Sequence, residues 1–407
     1  MTSGVHTAGT TRRYGRLAAH SSNGNERADR HGDTDTSGPA RPSEEFPVSQ
    51  PFAVPTVDLS PYVHEGDPRE RLATAAAFDR ACREVGFVQV QGHGVPADVL
   101  AGLEDALDGF FAQPHDAKLA WRLPPELNRG YTPPRSESQS LSLGVQPANR
   151  MNDFFEAFGV GRALSDHPDR PELAADARLA SHYAENVWPS APAGFRAQVE
   201  AYFLEAERVA GTLLEVAEDA LGLDRGHLAA LADHSISAMR LLDYALDEGT
   251  DVRLDGDLRG MGEHTDYGLV TVLWADRVPG LQVLGRDGRW HDVQPDPGAL
   301  LVNLGDLTAR LTNDRWSSTL HRVKPPVVDG VVRRRRSVAF FHDGNADARI
   351  APLPSCVDAA HPARYAEVGV DEHVRAKIDG SNLGILNESA GSERDRVLRA
   401  AVEVGAG

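Results

Sequence analysis

Cysteine and long apolar runs are both scarce in this chain. Its 407 residues include two cysteines, Cys82 and Cys356, which lie far apart and form neither a disulfide framework nor a CxxC metal site. A reducing compartment fits that shortage. No apolar run has the length of a membrane span, and the N-terminus lacks the apolar core of a secretory signal peptide. The sequence therefore predicts a cytoplasmic protein without a membrane partner.

Positive charge is scarce too. Lys and Arg total 42 against 60 Asp and Glu, and the formal net charge at pH 7 is −18. Binding to phosphates needs an excess of basic side chains on some face, so we expect no nucleic-acid partner. The run of four arginines at 333–336 is accordingly not interpreted as a nucleic-acid patch. The sequence leaves the oligomeric state open, and a monomer is consistent with it.

The first half of the chain divides into a polar tail and a mainly helical region. Residues 1–48 contain almost no large apolar side chains, so they are predicted to be a disordered tail. The stretch 114–161 is rich in turn residues and is predicted to be a long ordered loop over a site. Helical or strand spacing of apolar residues predicts strands at 54–59 and 87–90 and helices at 68–85, 97–111 and 194–221.

Short β-rich runs separated by turns follow residue 223. Their even spacing predicts a jelly-roll sandwich rather than alternating βαβ units. We therefore expect an α+β fold with a mainly β core, a double-stranded β-helix (jelly roll) flanked by N-terminal and C-terminal helices. Its predicted parts are an N-terminal helical and β region at 49–225, a jelly-roll core at 226–345 and a C-terminal helical segment at 346–407. The predicted strands are 238–244, 269–274, 281–284, 299–304, 319–323 and 337–341, and a last helix is predicted at 362–378.

Two histidines and an aspartate in this region form a candidate metal site. Residues i and i+2 of a strand point to the same side, so His264 and Asp266 can converge on one ion. His321 lies in a later predicted strand. Two histidines with one carboxylate leave coordination positions open, as an iron site that admits O2 requires. The His-x-Asp tripeptide also occurs at His31/Asp33, in the predicted tail, and at His167/Asp169, in a charged, turn-rich stretch.

An Arg-x-Ser tripeptide follows the second histidine. Arg335 and Ser337 stand at the start of a predicted strand, where an arginine fork and a hydroxyl on one face can clamp the distal carboxylate of a dicarboxylate. The alternative is that the histidines are hydrogen-bonded core residues, Asp266 a turn residue and Arg335 part of a solvated charge run. Spacing alone leaves both interpretations open, because Arg-x-Ser also occurs at Arg41/Ser43 and Arg315/Ser317.

A larger set of motifs, taken in their order along the chain, resembles those of a known family. From about residue 54 to 341 the sequence is similar to the isopenicillin N synthase-like branch of the Fe(II)/2-oxoglutarate-dependent dioxygenases. The matching segments are VPTVDL (54–59), GFVQVQGHGV (86–95), GEHTDYG (262–268), PGLQV (279–283), VNLGD (302–306), TLHRV (319–323) and RRS (335–337).

The resemblance implies roles for five residues. It makes His264, Asp266 and His321 the iron ligands, and Arg335 and Ser337 the anchor for the distal carboxylate of 2-oxoglutarate. It also implies the cofactor Fe(II), the co-substrates 2-oxoglutarate and O2, and a small-molecule substrate, with hydroxylation as the default outcome. Natural-product or antibiotic biosynthesis is expected by analogy.

Other positions match the family less completely. Tyr244 corresponds to a tyrosine that contacts 2-oxoglutarate in many members, but Leu242 and Ala245 stand where asparagine and proline are common. Tyr244 therefore also fits an aromatic residue at a strand end. His93 is interpreted as structural. Arg240 shares a strand face with Tyr244, and a buried arginine there would need an anionic partner such as a substrate carboxylate.

The resemblance leaves two further functions open. One is an iron oxidase of the isopenicillin N synthase type, which uses no 2-oxoglutarate, and the other is a non-catalytic jelly-roll binding or sensor protein. Substrate identity is not predicted. The loop at 128–156 and the segment after Phe341 are the candidate lids over the substrate, since binding residues usually lie on loops of a rigid scaffold.

Overall fold

The computed structural model describes residues 52–144, 153–245, 260–328, 331–387 and 390. They belong to one compact unit that begins at Pro51. The predicted tail at 1–48 lies outside these residues, and the predicted boundaries at 225 and 345 stay predictions. None of the helices in the described ranges is long and apolar enough to cross a membrane.

Helices cover the N-terminal half. Asp67 starts the second helix with a capping box, in which its side chain accepts the N–H of Glu70. The long helix α7 (Phe195–Leu221) is followed by Gly222, which adopts the left-handed conformation common after helix ends. The helices are α1 (Ser60–Val63), α2 (Pro68–Glu84), α3 (Ala97–Phe111), α4 (His115–Leu119), α5 (Pro171–Ala175), α6 (Ala177–Ala180), α7 (Phe195–Leu221), α8 (Asp306–Leu311) and α9 (Val370–Leu383).

Two sheets form the core, and the larger one includes strands from both halves of the chain. The strands are β1 (Thr56–Asp58), β2 (Phe87–Gln91), β3 (Gly130–Thr132), β4 (Glu156–Gly161), β5 (Ala238–Tyr244), β6 (Met261–His264), β7 (Val270–Ala275), β8 (Leu281–Leu284), β9 (Trp290–Asp292), β10 (Leu300–Leu304), β11 (His321–Val323), β12 (Val327–Val328), β13 (Val331–Val332), β14 (Arg335–His342), β15 (Arg349–Ile350) and β16 (Val368–Gly369). The larger sheet has the order β1-β2-β10-β7-β14-β5-β4-β3, and the smaller has the order β6-β11-β8-β9. Neighbouring strands in both sheets pair antiparallel, apart from β1 and β2, which are parallel.

The two faces of the larger sheet bury different apolar clusters. One face packs against α2, α3 and α7, with buried side chains such as Phe78, Phe110 and Phe203. The other face meets the smaller sheet, where Leu242 of β5 and Val283 of β8 belong to one buried cluster. This second layer is the jelly-roll interior, and it contains the candidate site. The predicted fold class is confirmed, although the sheets do not close into a barrel.

Two predictions about local structure were wrong. The stretch 114–161 is not simply a loop, because β4 within it pairs with β5 over six residues of the larger sheet. Glycines at 159 and 161 weaken the strand pattern, yet a side chain at Gly161 would collide with the buried Arg129 guanidinium. The last helix begins at Val370 rather than at 362, since Val368 first pairs with Ile350 in a short strand.

Candidate metal centre and co-substrate pocket

The structure brings the three candidate metal ligands together. His264 ends β6 and pairs across the smaller sheet with His321, which begins β11. The Nε2 atoms of His264 and His321 lie 3.8 Å and 3.7 Å from the same oxygen, Oδ1 of Asp266. The expected strand geometry was wrong for Asp266, because β6 ends two residues earlier and a turn carries the carboxylate to the histidines.

Hydrogen bonds hold both rings with Nε2 toward the common point. The Nδ1 atom of His264 lies 2.8 Å from the carbonyl oxygen of Gly262, and that of His321 lies 3.1 Å from the carbonyl oxygen of Thr319. A ring nitrogen that donates to a carbonyl fixes the tautomer in which the other nitrogen carries a free lone pair. Each histidine therefore directs its Nε2 towards the point at which the three ligand groups meet.

The carboxylate is oriented by two side chains that the sequence did not single out. Thr271 Oγ1 and Asn303 Nδ2 both donate to Oδ2 of Asp266, at 2.5 and 2.6 Å. These bonds leave Oδ1 for an ion. Asn303 lies within the VNLGD motif, so its position could have been inferred from the resemblance, but its role as a partner of Asp266 depends on the pairing of β10 with β7.

The electrostatics of the three ligands suit a divalent ion. Burial and the neighbouring His321 ring lower the pKa of His264 to about 3, so its imidazole is neutral at physiological pH. Two imidazole nitrogens and one carboxylate, all buried and with ligand atoms within 4.8 Å of one another, fit Fe(II) and leave part of its coordination sphere open. The residues present thus match the donor set of a non-haem iron oxygenase.

A buried network behind Asp266 was not predicted. Lys377 of α9 and Asp306 of α8 form an ion pair of 2.7 Å, and each side chain is 2% exposed. Thr265 donates to the same carboxylate, and the N–H of Asp306 donates to the carbonyl of Asp266. Burial alone would raise the pKa of Asp306, but Lys377 holds it well below its usual range. The C-terminal helix is thereby connected to the turn between the metal ligands.

Arg335 and Ser337 line the same cavity as the three ligands. This cavity, here called the metal pocket, encloses about 590 Å³ between the two sheets. Arg335 is 2% exposed, and its Nη1 donates to Ser337 Oγ at 3.1 Å. Its Nε has no hydrogen-bond partner, and no carboxylate among the described residues forms an ion pair with it. A buried guanidinium in this state requires an anion.

Tyr244 and Leu242 stand beside this arginine. In the antiparallel pairing of β5 with β14, Arg335 is opposite Tyr244 and Ser337 is opposite Leu242. The Tyr244 ring is buried, and its centroid lies 5.1 Å from the guanidinium carbon of Arg335. Burial raises the pKa of Tyr244, so the hydroxyl is neutral. Leu242 contributes an apolar wall to the metal pocket.

Arg240 faces inward, as its strand position predicted, but its expected partner was wrong. Its two terminal nitrogens donate to the two carboxylate oxygens of Glu137 at 2.7 and 2.8 Å. The anion that the buried arginine requires is therefore supplied by the chain itself. His93 has the structural role expected, since its ring bonds to the Gly298 carbonyl and accepts the N–H of Val95.

The candidate lid at 128–156 includes the polar residues Arg129, Tyr131 and Arg150. Arg129 is buried and donates to backbone carbonyls, and Tyr131 donates to Glu156 at 2.6 Å. Both therefore have structural roles within the described part of the chain. Arg150 lies outside the described residues.

Two buried histidines and a carboxylate inside a jelly roll define a non-haem metal enzyme, and comparisons with known proteins give its family. Residues 54–191 match the family model of the non-haem dioxygenase in morphine synthesis N-terminal region, and residues 237–344 match that of the 2OG-Fe(II) oxygenase superfamily.

Relatives and solved structures agree with these matches. The chain is 34% identical to the 2-oxoglutarate-Fe(II) type oxidoreductase hxnY of Emericella nidulans, covering 80% of this chain and 89% of the relative. It is 31% identical to clavatol oxidase claD of Penicillium crustosum, covering 81% and 97%. The crystal structure of full-length Neurospora crassa T7H in complex with alpha-KG and thymine superposes with a TM-score of 0.67 at 26% identity, covering 80% and 96%.

The chain belongs to the Fe(II)/2-oxoglutarate-dependent dioxygenases, in the isopenicillin N synthase-like family. The predicted enzyme class is thereby confirmed. Its cofactor is Fe(II), and its co-substrates are 2-oxoglutarate and O2.

Proposed function

We propose that His264, Asp266 and His321 hold Fe(II), that Arg335 and Ser337 anchor the distal carboxylate of 2-oxoglutarate, and that the enzyme hydroxylates a small molecule. The observation that carries the co-substrate assignment is the state of Arg335. It is a buried cation that faces the metal pocket without a carboxylate from the described residues. A dicarboxylate satisfies it with a charge-assisted fork, which Ser337 extends by a hydroxyl.

The residues around the proposed site have separate roles in this reaction. Bound iron supplies the activation of O2, coupled to oxidation of 2-oxoglutarate to succinate and CO2. The carbonyls of Gly262 and Thr319 hold the two histidine rings in place, and Asn303 and Thr271 do the same for Asp266. Apolar side chains limit water in the pocket, which strengthens the electrostatic interactions inside it. Those side chains are Phe87, Leu242, Leu273, Leu281 and Val323.

Tyr244 completes the proposed co-substrate site. Its buried ring lies beside Arg335, so it supports the anchor from the neighbouring strand. A direct contact with 2-oxoglutarate is part of this proposal. We further propose a role in natural-product metabolism, which rests on relatives such as clavatol oxidase and the validamycin A dioxygenase of Streptomyces hygroscopicus. A cytoplasmic monomer is the proposed working form.

The test begins with anaerobic protein to which Fe(II) and 2-oxoglutarate are added. We expect the weak visible charge-transfer band of a 2-oxoglutarate complex, and succinate formation once O2 and a substrate are supplied. His264→Ala should lose the iron and the band. His361→Ala, at an exposed histidine bonded to Asp358, is the matched control and should retain both.

Each of the other possible outcomes indicates a different function. Folded, iron-loaded protein without the band contradicts the proposed co-substrate site. Substrate oxidation without succinate indicates an oxidase of the isopenicillin N synthase type. Biological activity that survives the loss of iron in His264→Ala indicates a binding or sensor protein.

A further inference from the structure

A second cavity continues from the metal pocket. This cavity, here called the polar chamber, encloses about 450 Å³ and shares Gln139, Arg240, Asp266 and Phe341 with the metal pocket. Because Asp266 is a proposed iron ligand, a molecule bound in the polar chamber lies next to the reacting centre. The chamber is therefore the place in which to look for determinants of the substrate.

Most polar groups of the polar chamber are already paired within the chain. Both terminal nitrogens of Arg240 bind Glu137. Gln139 accepts the Tyr267 hydroxyl at 2.9 Å. The Asn382 amide donates to a backbone carbonyl and accepts the hydroxyl of its neighbour Ser381. These groups have little capacity left to hold a charged ligand.

Asp343 is the exception. It lines the polar chamber and is 8% exposed, and its carboxylate forms no hydrogen bond or ion pair with any residue that the structure describes. Its Oδ1 lies close to the backbone of Gly268, where a Cβ atom would approach it to 2.0 Å. Gly268 therefore leaves the space that the carboxylate occupies.

The charges around Asp343 do not neutralise its carboxylate. Asp266 adds a second negative charge, and Arg129 is the described cation that acts against it. The Arg129 guanidinium donates to three backbone carbonyls and forms no ion pair with Asp343. Burial, with a contribution from Asp266, raises the pKa of Asp343 to about 7. A buried carboxylate of this kind is stabilised by a partner that donates hydrogen bonds and carries positive charge.

The position of Asp343 along β14 connects it to the co-substrate anchor. Arg335, Ser337, Ala339 and Phe341 alternate along this strand and line the metal pocket. Asp343 comes next in the same alternation, directly after the strand ends, and faces the polar chamber. One strand face thus presents a cation at the co-substrate end and, eight residues later, an anion at the other end.

We infer that Asp343 anchors the substrate, and that the substrate carries an ammonium or guanidinium group which binds this carboxylate. The inference rests on the proposed function, because the polar chamber is a substrate site only if iron occupies the adjoining pocket. A substrate anion is disfavoured there, since the guanidinium that lines the polar chamber, that of Arg240, is already neutralised by Glu137.

The test uses matched pairs of small probes that differ in charge but little in shape. Benzylamine is paired with benzyl alcohol, and propylamine with propanol. Their dissociation constants are measured by ligand-observed NMR on anaerobic protein with Fe(II) and 2-oxoglutarate, at about pH 8, where Asp343 is largely ionised. We expect each cation to bind roughly tenfold or more tightly than its neutral partner, the scale of a hydrogen bond to a charged group.

Asp343→Asn should abolish this preference without affecting iron loading or the charge-transfer band. Asp296→Asn, at an exposed aspartate outside both cavities, is the matched control and should retain the preference. Equal binding of cation and neutral probe to wild-type protein, binding of neither cation, or a preference that survives in Asp343→Asn each overturn the inference. Repeating the titration without metal separates this inference from the proposed function. Asp266 is present in both wild type and variant, so a difference in cation binding between the two proteins comes from Asp343 even when no iron is bound.

Discussion

The metal pocket contains Arg335 and the polar chamber contains Asp343, two buried groups of opposite charge that form no ion pair with any described residue. Arg335 begins β14 in the metal pocket, and Asp343 follows the end of the same strand in the polar chamber. At about 3.3 Å per residue the strand separates their Cα atoms by roughly 26 Å. Opposite ends of one strand face are therefore suited to ligands of opposite charge.

Arg240 lines both cavities and shows the alternative, a buried charge that the protein itself neutralises. It is buried like Arg335, lines the metal pocket with it and is held by Glu137. Of two buried arginines on neighbouring strands, one is neutralised by the chain and one is not. The difference indicates that a buried charge in a binding cavity points to a ligand only when the protein itself has left it unpaired.

The largest effect that tests this comparison is expected from Glu137→Gln. This change leaves the Arg240 guanidinium buried without its counter-charge, which should lower the free energy of unfolding by about 3–5 kcal/mol. Urea unfolding of the metal-free protein measures it. The double variant Glu137→Gln/Arg240→Met should recover much of the loss. An unchanged unfolding free energy in the single variant would mean that Arg240 is not held by Glu137, and that it is available to a substrate anion.

Arg335→Gln should act on binding rather than on stability. Loss of a charge-assisted fork should raise the KM for 2-oxoglutarate roughly 100-fold, while the free energy of unfolding stays the same or rises, because no ion pair with a described residue is lost. Succinate formation at varied 2-oxoglutarate concentration measures the effect. Arg336→Gln is the matched control, since Arg336 bonds to Asp276 on the other side of the strand. Marked destabilisation by Arg335→Gln would instead assign Arg335 an internal structural role like that of Arg240.

Asn303→Ala tests whether the metal pocket depends on the side chains that orient its ligands. The variant removes one of the two donors to Oδ2 of Asp266 and should weaken Fe(II) binding about 10–100-fold. Titration of metal-free protein with Fe(II) under anaerobic conditions measures the affinity. Asn186→Ala, which removes an amide bonded to the Gly161 backbone, should leave it unchanged. Unaltered iron affinity in Asn303→Ala would limit the orienting role to Thr271.

The sequence predicted regular elements well where one pattern repeats. Strand β5 and helix α3 have the predicted bounds, because alternation and helical spacing of apolar residues report directly on a buried face. Strand β4 was missed, since its glycines serve a tertiary contact with Arg129 that local pattern does not contain. The ion pair of Asp306 with Lys377 likewise depends on the docking of α9.

At the site, sequence order was more informative than local geometry. His264 and Asp266 converge, although a turn rather than a strand brings them together. The inward direction of Arg240 followed from alternation, but the partner Glu137 comes from a distant loop segment and could not be inferred. Asp343 had a signal that was overlooked, because it continues the alternation that begins at Arg335.

The smallest expected effect concerns Tyr244, which the sequence left open. Tyr244→Phe removes the hydroxyl but keeps the ring beside Arg335, so the KM for 2-oxoglutarate should rise only about fivefold, as for the loss of one neutral hydrogen bond to the co-substrate. Tyr202→Phe, which removes a buried hydroxyl that has no hydrogen-bond partner among the described residues, should have no effect on KM. A rise as large as that of Arg335→Gln would mean that the Tyr244 hydroxyl binds the co-substrate as strongly as the arginine does. The metal pocket would then rely on both strands for its anion, and the contrast with the polar chamber would no longer rest on a single unpaired charge.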